Sequence, residues 1–281
     1  MHKMATLYLV GTPIGNLEDM TFRAIDTLKR VDVIACEDTR VTKKLCNHYE
    51  ITTPLKSYHE HNKDKQTVHM IETLKNGEDV ALVSDAGLPL ISDPGYELVV
   101  EARAQGIHVE TIPGPNAGLT ALMASGLPSF TYTFLGFLPR KTKDKLAVLE
   151  TRMYQESTLL IYESPYRVLD TLKAIQTVDA TRSVSLGREL TKKFEQIETA
   201  RVDTLIEAVE ADEIPLKGEF VVIIEGAAPV ATTAWFEAMT LEAHVDYYIA
   251  QDMKPKAAIK KVAEDRQMKT GDVYNAYHNV D

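Results

Sequence analysis

Three stretches rich in glycine, proline and small polar residues mark where this chain could hold a ligand. They are Gly11-Thr12-Pro13-Ile14-Gly15-Asn16, then Ser84-Asp85-Ala86-Gly87-Leu88-Pro89 with Ser92-Asp93-Pro94-Gly95 close behind, and Pro113-Gly114-Pro115-Asn116-Ala117-Gly118. Glycine lets a backbone approach a ligand closely, and proline fixes a turn. One such stretch says little, because ordinary turns need glycine too. Three of them, each ending an apolar run, point to one shared nucleotide-like ligand. The first has neither the Gly-Lys-Ser/Thr of a phosphate loop nor the dinucleotide glycine spacing, which disfavours phosphate cradling. Residues suited to proton handling are Glu37 and Asp38, at the end of another apolar run, and the cluster His59-Glu60-His61-Asn62. A carboxylate or imidazole at a cleft can take a hydroxyl proton. On spacing alone the histidine cluster stays open between a solvated loop and a functional one. Two alternate histidines with no clear further ligands do not make a metal site, and none is expected.

Strands must end at these turns to present them. Residues 7–10, 31–36, 80–84 and 109–112 read as strands. Helices are expected at 20–29, with Phe22, Ile25 and Leu28 on one face, at 41–49 and at 96–105. That alternation predicts a largely parallel sheet covered by helices. After residue 115 the pattern changes to a small-residue helix at 117–125, a strand at 134–137 and a charged helix at 143–154. Strands at 158–162, 182–186 and 220–225 follow, separated by helices at 166–176 and 202–211. The stretch 226–233 (GAAPVATT) reads as a linker. Residues 235–281 look entirely helical, with 255–266, a turn at 268–271 and 272–278 forming a helix-turn-helix pattern. A hairpin used for packing or dimerisation fits that pattern equally. The expected domains are therefore 1–115, 116–226 and 235–281.

At 281 residues, 44% hydrophobic and 26% charged, the chain is long enough for a proper core without disulfide or metal staples. Its two cysteines, Cys36 and Cys46, form no framework and have no zinc spacing, which fits a reduced, cytosolic compartment. The N-terminal apolar run is too short for a signal peptide or a membrane span. A net charge of -10 argues against a general nucleic-acid coat protein, but leaves room for local basic patches.

An ordered series of longer strings carries a resemblance: VGTPIGNLEDMTFRA at 10–24, ACEDTR at 35–40, SYHEHN at 57–62 and VSDAGLPLISDPGYELV at 83–99. IPGPNAGLTALMASGLP at 112–128, GFLPRK at 136–141, YESPYRV at 162–168 and GRELTKKFEQI at 187–197 continue it. From residue 7 to about 225, and more weakly beyond, the chain resembles the bacterial small-subunit ribosomal RNA (cytidine-2'-O)-methyltransferases of the tetrapyrrole-methylase superfamily. The resemblance implies two α/β domains of tetrapyrrole-methylase type with a small helical C-terminal domain. It also implies S-adenosylmethionine in the interdomain cleft, a homodimer, and small-subunit ribosomal RNA or the ribosomal subunit as partner in the bacterial cytoplasm, with no membrane. Carried over residue by residue, Pro13 matches the loop proline beside the cofactor. Ser84, Asp85, Ala86, Gly87 and Leu88 stand in the cofactor turn, with Ala86 where many relatives have proline and Ser84 where they have glycine. Asn116 and Ala117 match the pair after the Pro-Gly turn, and Glu163 and Glu189 match cofactor contacts of the second domain.

Methyl transfer to a ribose hydroxyl is an in-line displacement that needs alignment and help in removing the proton. Glu37, Asp38 and His59 are the candidates for the proton. RNA needs cations near the cleft. Arg40, Lys43 and Lys44 form one basic group, Arg140, Lys141 and Lys143 a second, and Arg188, Lys192 and Lys193 a third; any one alone would read as a solvated face. Tyr58, Tyr162 and Tyr166 could stack on bases or simply pack. Two rivals stand beside this reading. One is a tetrapyrrole C-methylase with the same cleft, disfavoured by the first loop and the basic groups. The other is a non-catalytic RNA-binding factor, which would bind no S-adenosylmethionine.

Overall fold

The apolar runs that end at glycine turns become parallel strands of one sheet in the computed structural model, which describes residues 5–228, 236 and 238–278. In chain order the elements are β1 (Thr6–Val10), α1 (Phe22–Arg30), β2 (Val33–Cys36), α2 (Thr39–His48), β3 (Leu55–Ser57), α3 (Lys63–Lys75), β4 (Val80–Val83), α4 (Tyr96–Ala104) and β5 (His108–Ile112). The strands lie in the order β3-β2-β4-β1-β5, every pair parallel. β2 and β4 are buried at every position, as strands covered on both faces must be. One face packs on Ala24, Leu28, Leu45 and Cys46; the other packs on Met70, Ile71, Leu74 and Leu98. The connections that leave the neighbours β1 and β4 run in opposite directions along the sheet. Such a switch point opens a crevice beyond the carboxyl ends of the strands.

The second sheet is built differently. Its elements are α5 (Ala117–Ser125), β6 (Tyr132–Phe137), α6 (Thr142–Arg152), β7 (Thr158–Glu163), α7 (Val168–Val178), β8 (Ser183–Arg188), β9 (Gln196–Arg201), α8 (Val202–Glu210) and β10 (Phe220–Ile224). The order is β6-β7-β10-β8-β9, and only β6 and β7 pair in parallel. β10 is thus the last strand in sequence and the central one in space, antiparallel to both neighbours. Both sheets lie in the compact unit Met1–Ala227.

Several expectations change in detail. Phe22 does not belong to the inward face of α1: it is 89% exposed, and Ala24, Thr27 and Leu28 are buried instead. Thr21 caps the helix by accepting from the Ala24 N–H, which leaves Phe22 in the first turn facing outward. β3, α3 and β9 escaped the sequence reading. α3 opens on a polar run and buries only Thr67, Met70, Ile71 and Leu74. β9 is a half-exposed edge strand without an apolar run.

In the second unit, Ala228–Asp281, the described residues form α9 (Leu241–Ile249), α10 (Pro255–Asp265) and α11 (Thr270–His278), packed around Val245, Ile259, Val262 and Val273. The turn between α10 and α11 falls at 266–269, two residues earlier than expected, because α10 ends at Asp265 and α11 begins at Thr270. Most of the expected linker, 229–233, lies outside the described residues. Among the described residues no helix is long and apolar enough to cross a membrane.

Candidate active site

The three glycine-bearing turns are laced together by backbone hydrogen bonds. The Thr12 N–H donates to Gly87 O at 2.9 Å, the Gly87 N–H donates back to Thr12 O at 3.1 Å, and the Gly11 N–H donates to Ile112 O at 3.0 Å. The Thr12 hydroxyl adds a bond to Ser84 O at 3.0 Å. Gly11 passes Gly114 so closely that a Cβ on it would lie 2.7 Å from the Gly114 Cα. Gly87 has a φ of +84°, in the left-handed region that glycine alone adopts without cost. The spatial order of the strands explains the convergence: β4, β1 and β5 are consecutive in the sheet, parallel, and end at the same edge.

Beyond this edge lies a cavity of about 410 Å³, within the size range of small-molecule sites. From the first sheet it is lined by Ile14, Ser84–Leu88 and Ile91–Asp93, and at the start of α5 by Asn116 and Ala117. The opposite wall comes from Phe137, Tyr162–Pro165, Leu190 and Gly218–Val221. This second wall needs the antiparallel entry of β10. Phe220 pairs with Glu163 and Val221 with Tyr162, so the start of β10 sits beside the end of β7. The two walls also meet directly, because the Asn16 N–H donates to Thr191 Oγ1 at 3.1 Å.

Acidic groups gather at the first wall: Asp85 and Asp93 line it, and Glu37 and Asp38 stand next to them without lining it. The Asp38 N–H donates to Asp85 Oδ1 at 3.1 Å, and the Ser84 hydroxyl donates to Asp93 Oδ2. Burial raises the pKa of Glu37, and the like charges of Asp93 and Asp85 raise it further. Burial likewise raises Asp85 and Asp93. Such mutual repulsion among carboxylates makes the site receptive to a cation.

The site residues expected from the sequence divide into distinct groups. Ser84, Asp85, Ala86, Gly87, Leu88, Asn116, Ala117 and Glu163 all border the cavity, whereas Pro13 only adjoins Ile14, which does. The carboxylate of Glu163, however, is fully buried and turned to internal partners. Glu189 stands behind the wall: its carboxylate accepts from Lys192 Nζ at 2.9 Å and from the Glu219 N–H at 3.1 Å. Asp38 caps α2 by accepting from the Arg40 N–H at 2.8 Å, and its side-chain bond to Arg40 pushes its pKa down to about 2. His59 is half-buried, its N–H donating to Asn62 Oδ1 and its Nδ1 buried without a hydrogen-bond partner among the described residues.

The basic groups divide as well. Lys43, Lys44, Arg140, Lys141, Lys143 and Lys193 are exposed, and Arg40 is exposed though paired with Asp38. Lys192 instead bridges Glu189 and Glu219, and Arg188 holds the carbonyls of Lys217 and Phe194. Both are committed internally. Among the aromatic candidates, Tyr58 is buried with its hydroxyl on Thr67, which removes it as a stacking surface. Tyr162 lines the cavity and Tyr166 is exposed. Among the described residues no three His, Cys, Asp or Glu side chains are grouped to hold a metal.

Sequence reasoning missed Asp93, Leu190 and the Gly218–Val221 segment. Asp93 lay in a stretch already singled out, so its signal was present. The 218–221 segment had none, because its role depends on which way β10 runs.

The chain matches the family model for tetrapyrrole (corrin/porphyrin) methylases over residues 6–206. It is 52% identical over 276 residues to the ribosomal RNA small subunit methyltransferase I of Halalkalibacterium halodurans, covering 97% of this chain and 94% of the relative. The protein of the same name from Bacillus subtilis is 49% identical over 278 residues, covering 98% and 94%. In fold, the chain is similar to the crystal structure of uroporphyrin-III-C-methyltransferase from Thermus thermophilus, with a TM-score of 0.55, 19% identity and coverage of 79% and 94%. A diphthine synthase crystal structure is similar with a TM-score of 0.59, 11% identity and coverage of 79% and 90%. With its paired sheets and a family match across most of its length, the chain belongs to the tetrapyrrole methylases.

Proposed function

We propose that this chain transfers a methyl group from S-adenosylmethionine to the 2'-oxygen of a cytidine in small-subunit ribosomal RNA, in the bacterial cytoplasm and as a homodimer. The observation that carries the substrate is near-full-length identity of 52% and 49% to relatives named for methylating that RNA subunit. The cytidine and its ribose oxygen follow from the motif resemblance.

The residues present fit the cofactor. S-adenosylmethionine, when bound, supplies a methyl group carried on a positively charged sulfur. Ile14, Leu88, Leu190 and Val221 offer apolar walls, while Asp85 and Asp93 bring negative charge to the same cavity. Gly87 leaves the turn without a side chain where Ile14 and Pro115 crowd in, so backbone groups of 84–88 can approach a ligand.

Glu37 is the residue we assign to the hydroxyl proton. Its raised pKa makes it a better acceptor than Asp38, whose carboxylate is held far down by Arg40. His59 acts on Glu37 in the opposite direction, lowering its pKa, which supports His59 as a partner of the acceptor. Asp85 and the 84–88 turn hold the cofactor with Asn116 and Ala117. Lys43, Arg140, Lys141, Lys143 and Lys193 meet RNA phosphates. We assign 1–115 and 116–226 to the two walls of one catalytic body, and 235–281 to an appended helical domain. Met123 on α5, Phe130 just before the edge strand β6 and Tyr132 at its start are exposed apolar residues that support pairing with a second copy.

The test is methylation of small-subunit RNA with labelled donor, followed by mapping of ribose methylation. A porphyrinoid substrate serves as the competing acceptor. Methylation of the porphyrinoid alone, or no binding of the donor at all, overturns this reading.

A further inference from the structure

Glu163 ends β7 and borders the cavity with Tyr162, Ser164 and Pro165, yet its side chain is 0% exposed. One carboxylate oxygen accepts from the Ser164 N–H at 3.0 Å and lies 3.3 Å from Arg167 Nε. The other accepts from Thr171 Oγ1 at 2.8 Å. The Thr171 hydroxyl in turn accepts from Lys145 Nζ at 3.0 Å. Lys145 is itself only 3% exposed; burial lowers its pKa, and the Glu163 charge acts the opposite way.

These contacts have a direction. Arg167 Nη2 donates to Leu138 O at 2.7 Å and to Pro139 O at 3.0 Å, gripping the chain just before Arg140 and Lys141. Lys145 sits in α6 just after Lys143. One buried carboxylate therefore anchors both ends of the segment that displays Arg140, Lys141 and Lys143. A core that needed only to be filled would do as well with apolar residues, because buried ion pairs return little net stability. What they supply is a fixed geometry.

We infer that Glu163 is a positioning residue for RNA, not a cofactor contact. Through Arg167 on one side and Thr171 with Lys145 on the other, it sets where the exposed cations of 140–143 stand relative to the cavity wall. The inference rests on the RNA reading proposed above. Positioning matters here because reacting atoms must be held about 3–3.5 Å apart, and a misplacement of about 1 Å can cost roughly 100-fold.

The decisive variants are Arg167→Lys, which keeps the charge but has a single nitrogen and cannot contact Glu163 and the two carbonyls at once, and Thr171→Val, which cuts the bridge to Lys145. Each is expected to raise the KM for RNA roughly tenfold, the scale of coupling carried by such networks. The dissociation constant for S-adenosylmethionine should stay within about twofold of wild type, since neither side chain faces that ligand. Hydrogen exchange at the amides of 138–145 should quicken, and Thr171→Ser should restore both readouts. Unchanged RNA KM and unchanged exchange in both variants would overturn the inference. So would a loss of cofactor affinity matching the loss for RNA. Wild-type protein that methylates no RNA defeats the proposed function instead, and the exchange and cofactor-affinity readouts still decide whether this network positions the segment.

Discussion

The Asp38 N–H reaches Asp85 Oδ1 at 3.1 Å, so the turn that ends β2 is tied to the turn that ends β4. Asp85 thereby faces two tasks, holding a neighbouring loop and presenting charge to the cavity. Replacing it with alanine removes both the acceptor and the charge. Asp85→Ala is expected to weaken S-adenosylmethionine binding at least about tenfold, the scale of a hydrogen bond to a charged group. The fold should survive. Equilibrium binding of labelled donor checks this, and wild-type affinity in the variant would remove Asp85 from its assigned role.

The proton acceptance proposed for Glu37 has a definite pH signature. Only the ionised carboxylate accepts, and burial with Asp93 and Asp85 nearby holds its pKa above the ordinary glutamate value. kcat/KM should therefore be full above that raised value and fall as pH drops through it. Asp93→Asn should move this acid limb to lower pH, because one repelling charge is gone. Glu37→Gln should abolish the limb and reduce kcat by about 100- to 10,000-fold. A pH–rate profile of Glu37→Gln that matches wild type would rule the assignment out.

The crossing of Gly11 over Gly114 leaves no room for a side chain. Gly11→Ala places a Cβ 2.7 Å from backbone, so one of the two turns must move. Overpacking of this kind costs about 1–3 kcal/mol. We expect a lower Tm together with weaker donor binding, because the displaced turns line the same cavity. A variant that melts and binds like wild type would show that the turns separate freely.

Arg140 and Lys141 are exposed and outside any salt bridge among the described residues. Changing both to alanine should weaken RNA binding while leaving donor affinity intact. Each lost phosphate contact lowers the slope of log K against log salt by about 0.7–0.9. Titrations at several salt concentrations measure this, and an unaltered slope would mean that the pair touches no phosphate.

Phe130 is fully exposed, close to the edge strand β6. The parent protein should sediment as a dimer, and Phe130→Asp with Met123→Glu as a monomer; a monomeric parent would overturn the pairing itself. Identical sedimentation of the variant and the parent protein would move the pairing surface elsewhere.

Much of the first wall was legible in the sequence, because parallel buried strands announce themselves as apolar runs and the turns that end them need glycine and proline. Residues 84–88, 116 and 117 follow directly from that logic. The second wall was not legible. The run at 220–224 reads as a strand in any orientation, and nothing in FVVII says that it lies between β7 and β8 and antiparallel to both. Side-chain partners were equally hidden. Lys192 looks like a free cation in a basic string, and only the fold brings Glu189 and Glu219 to it. Tyr58 reads as a stacking ring until α3, itself missed, supplies Thr67.

The position of β10 has a bearing on biosynthesis. Ribosomes deliver the chain from its N-terminus, and the strand that completes the middle of the second sheet emerges only after all its neighbours. Until then β7 and β8 have no shared partner, and the floor contributed by 218–221 does not exist. A nascent polypeptide halted before that point has every strand of the first sheet but lacks one wall of the cavity proposed for the methyl donor, so that cavity is completed in a single late step.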